Sequence, residues 1–160
     1  MNDFATIEQP VKELVLPRPH YIARLVRANE TYMLAGRGTF KTTRGIALYV
    51  IDMIYEMPRS TGAGFGLSFE HLDTNTIPPL LHAFEEFGFR NGEHYVVGKK
   101  PPAHWPRPYS GILNDKYERV LSWHNGTAAY MVSLTRRAGA NALSVQWGFF
   151  DEAKFMNEQV

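Results

Sequence analysis

The sequence predicts an α/β domain, a mostly parallel sheet flanked by helices, and three observations carry that prediction. A short apolar lead-in, Tyr32-Met33-Leu34, reaches a loop of small residues and then a helix-periodic stretch over residues 45–57. A second extended run over residues 63–69 is followed by another helical face, Leu80, Leu81, Phe84 and Phe87. A last apolar run over residues 145–150 delivers two adjacent acids, Asp151 and Glu152. Strand, helix, strand and helix in alternation is the pattern of crossover connections between parallel strands.

The elements follow in order. Residues 1–30 mix charge with Pro10, Pro17 and Pro19 and read as an N-terminal arm with a short helix over 20–28; residues 31–160 form the main domain. In the helix after the loop, Ile46, Tyr49, Val50, Met53, Ile54 and Met57 recur at helical spacing, and Leu48 and Ile51 widen the stripe until Pro58 stops it. Pro78-Pro79 suit the first turn of the next helix, and Gly88 suits its C-terminal cap. Glu85-Glu86 on that helix form a solvated face. Tyr95-Val96-Val97 is a short strand. The stretch around it, residues 91–118, is rich in Pro, Gly, Tyr and Lys and is either an irregular connection or a basic, aromatic surface for nucleic acid. Asn125-Gly126 between two alternating runs is a hairpin signal, and a basic turn, Arg136-Arg137, precedes the last strand.

Composition removes several function classes. The chain has 160 residues, enough for one domain with a sizeable core, and no cysteine, which excludes disulfides and thiolate metal sites. Its six histidines lack the pairing of a zinc site. A net charge of +1 argues against a protein that coats DNA and is neutral toward one that grips it locally. No leader and no membrane-length apolar run is seen, so a cytoplasmic protein without membrane attachment is expected.

Two segments carry chemistry. The loop Ala35-Gly36-Arg37-Gly38-Thr39-Phe40-Lys41-Thr42-Thr43 lies between strand and helix. Small residues there let backbone N–H groups turn inward around an anion, the helix start adds positive charge, Lys41 reaches the β/γ-phosphates and the Thr42 hydroxyl ligates Mg²⁺. Against the pattern G-x-x-x-x-G-K-[ST], Ala35 and Phe40 replace the two glycines, and Phe40 brings a Cβ and a ring to a place where backbone passes close to phosphate. The second segment is Phe149-Phe150-Asp151-Glu152. A strand ending here sets Asp151 at the carboxyl edge of the sheet to serve the Mg²⁺ shell, and Glu152 to polarise the attacking water.

Taken in order, these residues resemble the N-terminal ATPase part of the large terminase subunit of tailed bacteriophages, the DNA-packaging motor. The loop with its internal arginine carries the resemblance, together with Leu67-Ser68-Phe69-Glu70-His71-Leu72, Thr76-Ile77-Pro78 and Phe87-Gly88-Phe89. Asn125-Gly126-Thr127, Arg136, Asn141 and Asp151-Glu152-Ala153 complete it, over residues 30–156. The resemblance implies a P-loop NTPase of the additional-strand, catalytic-glutamate class, incomplete at its C-terminus, with a coupling motif, further strands and a nuclease domain expected beyond it in the family. It implies ATP and Mg²⁺ as cofactors, Arg37 approaching the γ-phosphate, and Arg136 or Arg137 reaching phosphate across a subunit boundary. Implied partners are double-stranded DNA, the portal protein and the small terminase subunit, with a homo-oligomeric ring working at the procapsid portal in the host cytoplasm. Two rivals stay open: a helicase-like DNA-dependent ATPase, and a non-hydrolysing nucleotide-binding or assembly module whose loop Phe40 disables.

Overall fold

In the computed structural model of the chain, which describes residues 18–26, 28–33, 39–135 and 143–151, helical and extended segments alternate along most of the length. The chain divides into two compact units, residues 1–31 and 32–160. The first contains helix α1, Arg18–Val26, which begins and ends two residues before the expected span. In the second, Tyr32 and Met33 are irregular and not the end of a strand, and Leu34 lies outside the described residues. Three apolar residues are too short a run to impose the period-2 alternation that compels pairing.

Helix α2, Ala47–Glu56, continues from a π-helical turn at Lys41–Ile46. Val50 and Ile54 of the predicted stripe are fully buried, with Ala47 and Leu48 beside them. Strand β1, Thr61–Gly66, follows Pro58 and Arg59. Ser68 then caps the single turn α3, Phe69–His71, its Oγ accepting from His71 N at 3.1 Å. A second π-helical turn, Leu72–Thr76, leads into α4, Ile77–Glu86. Its cause is local. Pro78 and Pro79 have no N–H with which to reach the carbonyls four residues back, and the wider bond from Ile77 N to Leu72 O closes the turn instead. Gly88, at φ +88, ends the helix as expected.

Strands β2, Tyr95–Val97, β3, Val120–Trp123, β4, Ala128–Ser133, and β5, Trp147–Phe150, complete a five-stranded sheet in the order β2-β3-β4-β1-β5. The sheet is mixed, which corrects the expectation of a mostly parallel one. Strand β1 pairs in parallel with β4 and with β5, whereas the β2–β3 and β3–β4 pairs are antiparallel. The Asn125-Gly126 turn obliges β3 and β4 to be antiparallel, and β2 adds to β3 in the same sense.

Helices α2 and α4 share one face of this sheet. Phe84 of α4 meets Trp123 and Tyr95 edge-on at 5.1 and 5.6 Å, and Tyr49 of α2 meets Trp147 at 6.3 Å. Leu121, Trp123, Ala129, Met131, Trp147 and Phe149 supply the sheet side of that core. The alternate residues Val120, Ala128 and Tyr130 face the other way, under Ile112 and Tyr117 of the long connection between β2 and β3. Among the described residues, an irregular connection with a single 3₁₀ turn at Leu113–Asp115, and no α-helix, covers that part of the second face. No described helix is long and apolar enough to cross a membrane.

Candidate functional site

Phe40 opens the site. Its backbone is left-handed, φ 58 and ψ 29, a conformation that glycine adopts freely and a bulky residue rarely does. The conformation directs its carbonyl at the start of the helical segment, where it accepts from Arg44 N at 2.8 Å and Gly45 N at 3.4 Å. The ring itself is 59% exposed. Phe40 thus holds a backbone conformation that glycine would take without strain, with its side chain toward solvent, at a conformational cost. Lys41, Thr42 and Thr43 form the turn that follows, all half-buried. Arg44 pairs with Glu86 at 3.2 Å and lies over the Phe87 ring, which ties the turn to α4.

At the far end of β5, Asp151 N donates to Phe65 O of β1 at 3.2 Å, so the carboxylate stands at the carboxyl end of two parallel strands. Asp151 is 5% exposed. Its Oδ2 accepts from Thr42 Oγ1 at 3.4 Å, across 109 positions of sequence, and from Thr76 Oγ1 at 2.8 Å. The structure thus brings Thr42 and Asp151 together. Thr39, Phe40, Lys41 and Thr43 stand in the same turn or just ahead of it. Ala35, Gly36, Arg37 and Gly38 of the loop, and Glu152, Arg136, Arg137 and Asn141, lie outside the described residues.

Thr76, which in the sequence carries part of the resemblance but no site role, was missed as a partner of Asp151. A threonine just before Pro-Pro was the available signal, because prolines there disturb the preceding turn and redirect its side chains. Thr43 Oγ1 adds a second feature: it is buried and has no hydrogen-bond partner among the described residues.

This donor set fits an ATP-bound Mg²⁺. A buried carboxylate is costly unless it is paired or on a metal, and among the described residues Asp151 has hydroxyl donors and no ion pair. No group of three or more His, Asp or Glu gathers there among the described residues. Mg²⁺ needs none, since it is commonly held by one or two carboxylates with waters and substrate phosphates.

The basic, aromatic stretch is elsewhere. Arg59 immediately precedes Ser60 and β1, so it lies at the opposite, amino end of that strand from Asp151. Its guanidinium stacks over Tyr109 at 4.0 Å and its Nε donates to Arg107 O at 2.8 Å. Arg107 Nη1 donates to Tyr117 Oη at 3.1 Å, and Lys100 pairs with Asp115. Arg107 and Lys100 are engaged within the stretch itself and Arg59 is engaged against it, which favours its reading as a connection. No family model, no curated protein and no solved structure matches the chain.

Proposed function

We propose that the chain binds and hydrolyses Mg·ATP as the motor domain of a DNA-packaging machine similar to the large terminase subunit. The observation that carries this reading is the meeting of the Thr42 hydroxyl with the buried Asp151 carboxylate at the carboxyl end of β5. Two motifs that are remote in sequence, each suited to the same chemistry, are joined by one hydrogen bond. The finer fold assignment, a P-loop NTPase of the additional-strand class, belongs to the same proposal.

Each residue has a definite task in it. The start of the 41–56 helical segment and Lys41 receive the phosphate charge. Thr42 and Asp151, adjacent at 3.4 Å, would hold the cation. Mg²⁺ bound there neutralises phosphate charge and orients the γ-phosphate. Glu152, next to Asp151 in sequence, takes a proton from the attacking water, and Arg37 in the loop stabilises charge on the γ-phosphate. Double-stranded DNA is the cargo, with a portal protein, a small terminase subunit and further copies of the chain in a ring as partners.

Steady-state ATP turnover by the purified chain tests the assignment. Glu152→Gln is expected to lower turnover by about 10²–10⁴-fold while ATP still binds, and Lys41→Ala to lose binding as well. Normal turnover by Glu152→Gln would remove the catalytic assignment. Phe40 favours a second reading, a non-hydrolysing nucleotide-binding module, because its left-handed backbone is strained beside Lys41. Binding without turnover, converted to turnover by Phe40→Gly, would establish that reading. Turnover that requires single-stranded DNA would instead indicate a helicase-like ATPase.

A further inference from the structure

Two π-helical turns, Lys41–Ile46 and Leu72–Thr76, each deliver one threonine hydroxyl to the same carboxylate oxygen. Thr42 belongs to the loop motif. Thr76 has no chemical role assigned from the sequence, yet its bond is the shorter of the two, 2.8 against 3.4 Å. We infer that Thr76 is a positioning residue that fixes the Asp151 carboxylate by holding Oδ2, so that Oδ1 faces the divalent cation of a bound nucleotide. The inference rests on the nucleotide site proposed above.

Three features of the turn support it. Thr76 is fully buried, so its hydroxyl has no water to turn to, and its 2.8 Å bond to Oδ2 restrains the acid's rotamer. A threonine in a helical segment ordinarily bonds back to the carbonyl four residues earlier. Here that carbonyl, Leu72 O, receives Ile77 N in the widened turn, and the Thr76 hydroxyl goes to Asp151. The turn is also braced from the sheet. Arg119, next to β3, donates through Nη1 to both Asp73 oxygens at 2.6 Å and lies over the Phe69 ring at 4.5 Å. Pro78-Pro79 on one side and Arg119 on the other thus set the turn from which one hydroxyl reaches the site. Single-turn π segments recur at functional sites for this reason: the extra residue re-aims a side chain.

The test is a Mg²⁺ titration at fixed ADP, reading the Mg²⁺ concentration that gives half the full thermal shift. Wild type, Thr76→Val, Thr76→Ser and Asp151→Asn are compared. Valine keeps the shape and removes the hydroxyl, and it should raise the half-saturating Mg²⁺ by about 10–100-fold, the usual effect of losing a partner behind a metal ligand. Serine, which keeps the hydroxyl, should stay close to wild type. If Thr76→Val does not fold, Thr76→Ala makes the same comparison. A Thr76→Val chain that melts lower but keeps the wild-type Mg²⁺ midpoint shows a merely structural threonine and overturns the inference. Should Asp151→Asn lose the Mg²⁺ response while Thr76→Val keeps it, the inference fails and the site stands. A wild-type chain with no Mg²⁺ response overturns both.

Discussion

Phe40 is the residue at which backbone geometry and side-chain chemistry disagree most. A left-handed backbone costs an L-residue roughly 1–2 kcal/mol, and the carbonyl cap on Arg44 and Gly45 is what holds it there. Phe40→Gly removes that strain but adds freedom to the unfolded chain worth about 0.4–1 kcal/mol. A net stabilisation of about 0.5–1 kcal/mol is expected from urea unfolding. A clear loss of stability would mean that the ring contributes packing which its exposure hides. His124 offers a second residue-scale prediction. Burial pushes its pKa below the ordinary value, and His94, with ring centroids 5.8 Å apart, pushes in the same direction. Its Nε2 is buried with no hydrogen-bond partner among the described residues. The unfolded chain therefore takes up this proton more readily than the folded one. The stability that His124 contributes is complete above about pH 6.5 and falls as pH drops through the depressed folded value. The melting temperature of wild type should fall more between pH 7.5 and 5 than that of His124→Phe, and parallel curves would contradict this. The meeting of Thr42 with Asp151 was legible in the sequence because the expectation rested on residue type and order. Thr76 was not, because its role comes from where a turn aims it.

Strand β1 shows what element-scale reading can and cannot reach. Gly62, Gly64 and Gly66 lie on one face of it, and a Cβ at each would run into Trp147, Phe149 and Leu72 respectively. Glycine is a poor strand former, so the pattern hides the strand from propensity and shifts the sequence-predicted span, 63–69, away from the observed Thr61–Gly66. The cause is tertiary: bare backbone admits the large rings of β5, which then close the core over α2. Gly62→Ala should displace Trp147 and weaken the bond from its Nε1 to Ser60 Oγ, now 2.9 Å. A cost of roughly 2–4 kcal/mol is expected in urea unfolding; a change below about 0.5 kcal/mol, ordinary for a surface site, would show that the ring is not held there. Helices α2 and α4 were legible because their stripes, Pro58, Pro78-Pro79 and Gly88 are local signals. The π-helical turns at their starts are not encoded by periodicity at all.

At the scale of the whole molecule, the sheet joins two halves of different character. The parallel half, β4-β1-β5, ends at Asp151 and the threonine turns, while the antiparallel half, β2-β3-β4, carries the Phe84–Tyr95–Trp123 cluster. The hairpin was legible from Asn125-Gly126, but the addition of β2 to β3 was not, since three residues specify neither partner nor direction. What the halves have in common is α4, whose N-terminus follows Thr76 at the site and whose Phe84 anchors the antiparallel core. The central claim is that Thr42 and Asp151 act on one cation. A double-mutant cycle on Mg·ATP binding, measured by calorimetry with Thr42→Val, Asp151→Asn and the pair, tests it most directly. Each single variant should bind much more weakly and the pair little worse than the weaker single, a coupling of about 0.5–3 kcal/mol. Losses that simply add, or single variants that bind Mg·ATP like wild type, would contradict it.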